Sequence, residues 1–190
     1  MRDPDDRRRR LIRMGLTLAE TLIGTLVIFV LLQTFVGRTY AVEQSSMQPT
    51  LEPEQRLIVD RLTPRFDPYK PGDIIVFDAP ALAHLRAPAI KRIIATEGSV
   101  VELINGRVSV DGVVLNEPYT YGLEPTYPSS GQARWIVPTG HVFVLGDHRA
   151  VSVDSRSFGP VAVSAVIGRA WLRFLPIEDA ALLTTGGSSP

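Results

Sequence analysis

"VVELINGRVSVDGVVL", residues 100–115, decides the fold class. Three short runs rich in valine, leucine and isoleucine are separated by Asn105-Gly106 and Asp111-Gly112. Both dipeptides favour two-residue turns with positive φ at each central residue, and the twist of such turns matches that of paired strands. The stretch therefore predicts a three-stranded antiparallel meander.

Strand patterns continue on both sides. Upstream stand "RLIVDRL" (56–62), "DIIVFD" (73–78) and "AIKRIIAT" (89–96), β-branched runs bounded by Pro, Gly and Asp. Downstream come "RWIVP", "HVFVLGD" and "VIGRAWLRFLP". Between the two groups, "NEPYTYGLEPTYPSSGQ" (116–132) is broken by Pro and Gly and reads as a loop. No segment after Val36 carries a helical stripe, so residues 37–176 are expected to form a mainly β domain, a complex antiparallel sandwich or barrel. Residues 177–190, ending in "TTGGSSP", read as a flexible C-terminal tail.

The N-terminal part is different. Six arginines fall in residues 1–13, a basic tail, and "MGLTLAETLIGTLVIFVLLQTFV" (14–36) follows. As a helix this run would reach roughly 34 Å against a bilayer core of about 30 Å. Glu20 and Gln33 interrupt it, leaving 16 residues from Thr21 to Val36 as its apolar part. A buried core helix is disfavoured because the run is apolar all round. A cleaved signal peptide is disfavoured by a long apolar region with no small-residue cleavage site. The remaining reading is a transmembrane anchor. Arginines precede it and only Arg38 follows closely, so the N-terminus is expected in the cytoplasm and the β domain outside.

Composition narrows the chemistry. The 190 residues carry no net charge overall, which gives no reason to expect a nucleic-acid partner. There is no cysteine, which excludes disulfides, thiolate metal sites and a Cys nucleophile. His84, His141 and His148 show no metal-ligand spacing, and no metal is expected.

Just past the apolar run, "VEQSSMQPTL" (42–51) places two adjacent serines in a turn-prone cluster. A nucleophilic serine needs a base. His148, in "GDHRAVSVDSRSFG" with Asp147 and Asp154, could supply a Ser-His-Asp site, although the chain lacks a G-x-S-x-G signature. A lysine is the other option. The chain has two lysines against eighteen arginines. Lys70 lies in a turn, "DPYKPGD", and reads as solvated; Lys91 lies among Ile90, Ile93 and Ile94 on a predicted strand. An edge-strand lysine that discourages aggregation would look the same. As a base, Lys91 must fall from about 10.4 to about 7, which costs about 4.6 kcal/mol and is within the reach of burial.

Four blocks then match a known family in its own order: "SSMQPTL" (45–51), "PGDIIVF" (71–77), "IKRIIATEG" (90–98) and "GDHRAVSVDSRSFG" (146–159). With the N-terminal anchor, the chain resembles the type I signal peptidases, membrane-bound Ser-Lys proteases. The resemblance runs from the anchor to about Pro176. It implies Ser46, next to Met47, as nucleophile and Lys91 as general base. It implies that Ser152 orients the lysine amine, and that Asp147, Arg149, Asp154 and Arg156 brace the site with Arg92 as an ion-pair partner. It also implies a largely antiparallel β fold resting on membrane lipid, pre-protein substrates with small residues at −1 and −3, and no cofactor. Three positions depart from the family pattern: His148 stands where Asn is common, "ATEG" (95–98) replaces a more usual turn, and Gln44 occupies a position where a small polar residue can assist the oxyanion hole. Two other functions fit the same pattern less fully: a related Ser-Lys maturation peptidase, or a non-catalytic membrane-tethered β domain.

Overall fold

The computed structural model describes residues 4–31, 37–79, 88–129 and 131–183. The chain divides into two compact units, Met1–Gly37 and Arg38–Pro190.

The first unit contains helix α1, Pro4–Leu31. Leu22, Ile23, Leu26 and Phe29 are among its exposed apolar side chains. Its threonines are satisfied within the helix. Thr17, Thr21 and Thr25 each donate to the carbonyl four residues earlier, at 3.1, 2.8 and 2.8 Å. Among the described residues, no helix is long and apolar enough to cross a membrane. The expected span 14–36 carries Glu20 inside it, and its last five residues, 32–36, lie outside the described set.

The second unit is mainly β, as expected. An eight-stranded sheet has the order β1-β2-β11-β3-β4-β9-β10, with β12 paired to β11. Its strands are β1 (Gly37–Ala41), β2 (Arg56–Asp60), β3 (Ile74–Phe77), β4 (Ala89–Thr96), β9 (His141–Leu145), β10 (Val161–Ala162), β11 (Val166–Leu175) and β12 (Ala181–Leu182). A four-stranded sheet has the order β7-β6-β5-β8, from β5 (Val100–Ile104), β6 (Arg107–Val110), β7 (Val113–Val114) and β8 (Arg134–Ile136).

The second sheet contains the predicted meander. β5 pairs antiparallel with β6, and β6 with β7. Asn105 and Gly106 take φ of 51° and 76°, Asp111 and Gly112 of 52° and 81°. Each turn thus has positive φ at both central residues, as the dipeptides require.

Apolar runs place the core. β3, "IIVF", is buried along its whole length because the sheet is covered on both faces. Ile74 and Val76 join a cluster with Val42, Met47, Leu51 and Leu57, while Ile75 and Phe77 join one with Ile93, Val142 and Val144. A third cluster includes Ile94, Val101, Val108, Trp135 and Phe143, and thus draws on strands of both sheets. The Trp135 and Phe143 rings lie 5.1 Å apart.

The ordered fold continues past Pro176, the boundary that the sequence suggested. β12 pairs with β11 through Leu172↔Leu182 and Arg173↔Ala181, so a 3-10 turn, Ile177–Asp179, and a two-residue strand follow Pro176. Residues 184–190 lie outside the described set.

Candidate active site

Ser46 sits in a short 3-10 turn, Ser45–Met47, that follows β1. Apolar anchors hold the turn down: Met47 and Leu51 are buried against β2 and β3. Leu51 N–H donates to the Met47 carbonyl at 2.9 Å, closing the segment on itself.

Lys91 comes from β4, where it faces Ile75 of β3 in register. It is 1 % exposed, and Ser46 is 6 % exposed. Lys91 Nζ donates to Ser46 Oγ at 2.7 Å and to the Ile90 carbonyl at 3.1 Å. Burial pushes the Lys91 ammonium down to about 8; Asp154 and Asp147 act against this and Arg156 adds to it. No carboxylate pairs directly with the amine among the described residues, so desolvation prevails over the more distant charges. Such an amine can accept the proton of the hydroxyl beside it near neutral pH.

The loop after β9 forms the rest of the wall. β4 and β9 pair with Arg92 opposite Leu145, which brings Arg92 to the start of this loop. Arg92 grips Asp147 with both ends of its fork, Nε to Oδ1 at 2.9 Å and Nη2 to Oδ2 at 2.6 Å. Asp154 caps the short helix α2 (Ser155–Phe158). It also accepts from Gly146 N–H at 3.1 Å and pairs with Arg156 at 2.8 Å. Arg156 Nη2 donates on to the Arg149 and Ser152 carbonyls, at 2.8 and 3.1 Å. The acidic and basic residues of this block therefore hold the loop's shape.

The Ser152 hydroxyl is buried and has no hydrogen-bond partner among the described residues, so its expected contact with the lysine amine is not formed here. It packs against Gly146, where an added Cβ would strike both Ser152 Oγ and the Ser46 carbonyl oxygen. That close approach requires glycine.

His148 does not meet the serine hydroxyl. Its ring stacks on Tyr121 with centroids 4.1 Å apart, and its Nε2 lies 4.0 Å from Glu124. Only its backbone reaches Ser46, with His148 N–H donating to the Ser46 carbonyl at 3.1 Å. Lys70 is solvated and pairs with Asp67 at 2.8 Å.

Gln44 stands at the N-terminal cap of the Ser46 turn in extended conformation, and its side chain makes no capping bond. With Ser46 it lines a cleft of about 140 Å³ walled by Tyr40, Val42, Met47, Val76 and Ile90. The cleft has both polar and apolar walls, with Thr39, Glu43 and Gln44 beside the apolar side chains. Among the described residues, no group of His, Asp and Glu side chains could hold a metal ion.

Sequence reasoning missed several supporting residues. Thr50 donates to Asp147 at 2.5 Å. Glu117, Tyr119 and Thr126, read only as parts of a loop, contact Arg149 and Arg92. The available signal was the length of that loop, since structureless loops of this size are uncommon unless they serve a site.

Comparison with known proteins gives the family. The family described as "Signal peptidase, peptidase S26" matches residues 15–175. The chain is 41% identical over 160 residues to a probable signal peptidase I-1 of Synechocystis, covering 82% of this chain and 80% of that protein. It is 37% identical to a signal peptidase I of Leptolyngbya laminosa, covering 82% and 78%. A crystal structure of a signal peptidase I from Enterococcus faecalis aligns with TM-score 0.40 and 30% identity, covering 53% of this chain and 95% of that one.

Proposed function

The chain belongs to the signal peptidase family, peptidase S26, and we propose that it removes signal peptides from secreted pre-proteins with Ser46 as nucleophile and Lys91 as general base. The 2.7 Å contact between Lys91 Nζ and Ser46 Oγ carries this reading. The neutral amine takes the hydroxyl proton as Oγ attacks the scissile carbonyl. The tetrahedral intermediate collapses to an acyl-enzyme, and the lysine ammonium gives its proton to the departing amine. Lys91 then removes a proton from water, which hydrolyses the ester and frees Ser46. Ser46 N–H and the Gln44 side chain are the proposed oxyanion donors. Asp147, Asp154, Arg92 and Arg156 act through the shape of the loop, and the role of Ser152 in orienting the amine rests on the family resemblance.

The cleft beside Ser46 is the proposed seat of the side chain next to the scissile bond, and the preference for a small residue there rests on the family. The exposed apolar face of α1 and its internally bonded threonines support a membrane anchor, because hydroxyls satisfied by their own helix can enter lipid without loss. The N-terminal arginines support a cytoplasmic N-terminus and an extracytoplasmic β domain.

The test is cleavage of a pre-protein in detergent by wild type and Ser46→Ala, with Ala or Phe at −1. Ser46-dependent cleavage of the Ala substrate alone is expected. Equal cleavage of both substrates would contradict the specificity, and cleavage surviving in Ser46→Ala would overturn the nucleophile.

A further inference from the structure

His148 N–H, the backbone donor to the Ser46 carbonyl, lies between two gripped side chains. On one side, Asp147 is bound by Arg92, and the Arg92 guanidinium lies 4.0 Å from the centroid of the Tyr119 ring. On the other, Arg149 Nη2 and Nη1 donate to Glu117 Oε1 and Oε2 at 2.6 and 3.1 Å. Tyr119 OH donates to Glu117 Oε1 at 3.0 Å, joining the two grips. Tyr121 adds a backbone tie, its N–H donating to the Asp147 carbonyl at 3.0 Å. All three ties come from one stretch, residues 117–121.

We propose that Glu117 and Tyr119 are positioning residues that hold His148 N–H against the Ser46 carbonyl and so fix the attack geometry of the Ser46 hydroxyl. Neither touches the reacting atoms. They act on the two residues that flank His148, and His148 acts on the nucleophile's own backbone. The main chain that bears Ser46 is thereby tied to the stretch 117–121 through the part-buried, charge-assisted Arg149–Glu117 pair and the packing of Arg92 on the Tyr119 ring. Charge-assisted bonds are shorter and stronger than neutral ones and define geometry closely. A misplacement of about 1 Å at the reacting groups can cost about a hundredfold in rate. The proposal rests on the Ser46-Lys91 reading given above.

The test compares Glu117→Gln, Tyr119→Leu and Tyr119→Phe with wild type and Ser46→Ala, in the full-length protein, on one pre-protein substrate. Folded enzyme is quantified by near-ultraviolet circular dichroism, so that kcat counts folded molecules. Glu117→Gln keeps the shape and removes the charge that holds Arg149. Tyr119→Leu removes the ring beneath Arg92, and Tyr119→Phe keeps it. We expect Glu117→Gln and Tyr119→Leu to lower kcat about tenfold or more with KM nearly unchanged, and Tyr119→Phe to retain most activity. The acid limb of the pH profile should stay in place, because Glu117 and Tyr119 are not among the groups that set the Lys91 ionisation. A kcat within twofold of wild type in both disruptive variants, or a loss confined to KM, would overturn the proposal. Should Glu117→Gln not fold, Tyr119→Phe against Tyr119→Leu decides it. Wild type that fails to cleave at all would instead count against the functional reading.

Discussion

Lys91 Nζ lies 2.7 Å from Ser46 Oγ, and its other hydrogen bond goes to the Ile90 carbonyl rather than to a carboxylate. In the proposed mechanism the two side chains act as one unit. Ser46→Ala and Lys91→Ala should each abolish turnover, and the double variant should be no worse than either. Lys91→Arg should be equally inactive, because a guanidinium does not give up its proton. Single-turnover cleavage of a pre-protein measures all four. A Lys91→Ala enzyme that still cleaves, beside an inactive His148→Ala, would replace the mechanism with a histidine base.

The pH dependence follows from burial. Turnover should rise with pH through an apparent value near 8, where the buried Lys91 loses its proton. Asp147→Asn removes a charge that favours the ammonium, so its acid limb should move to lower pH. A kcat/KM profile of both enzymes checks the direction; a shift to higher pH would contradict the assignment.

Stability should respond with the same sign. Folding lowers the Lys91 ionisation from its ordinary 10.5 to about 8, so between these values the unfolded chain binds the extra proton and stability rises with pH. Below about 8 the full penalty is present, about 3 kcal/mol as an order of magnitude. Lys91→Met should therefore be more stable than wild type at pH 7, and the gap should close by about pH 10.5. Denaturant titrations at the two pH values test this; a variant less stable at pH 7 would refute it.

Arg92 and Asp147 are both buried and joined by two hydrogen bonds. Breaking such a pair leaves one charge buried without its partner, at a cost of about 3–5 kcal/mol. Asp147→Ala should lose stability of that size in a denaturant titration. Replacing both residues with apolar ones should recover part of it. A single variant as stable as wild type would mean that water reaches Arg92.

Gln44 borders the cleft with no hydrogen bond tying its side chain to the turn it precedes. Its amide can donate to a developing oxyanion, and loss of such a donor typically costs about 10²–10³ in turnover. Gln44→Ala should fall by about that factor, with partial recovery in Gln44→Ser. An alanine variant within about threefold of wild type would leave the backbone as the main donor.

The β class, both meander turns and the choice of Lys91 over Lys70 were legible in the sequence, because each depends on local chemistry. Asn105-Gly106 and Asp111-Gly112 demand positive φ wherever they stand, and isoleucines around a lysine foretell its burial. Ser46 over Ser45 came from the family resemblance, not from the residues alone. Tertiary structure decided the rest. By the residues alone His148 and Lys91 were both plausible bases; the family resemblance favoured Lys91, and in the fold Lys91 reaches the Ser46 hydroxyl while the His148 ring stacks on Tyr121. The residue that Arg92 grips, the need for glycine at 146 and the contacts of Glu117 and Tyr119 with Arg149 and Arg92 all join distant segments. Arg92 and Asp147 stand 55 positions apart, Arg149 and Glu117 32. No local pattern encodes such a pairing: a side chain's partner across the fold is set by strand order and register, which emerge only when the whole core packs.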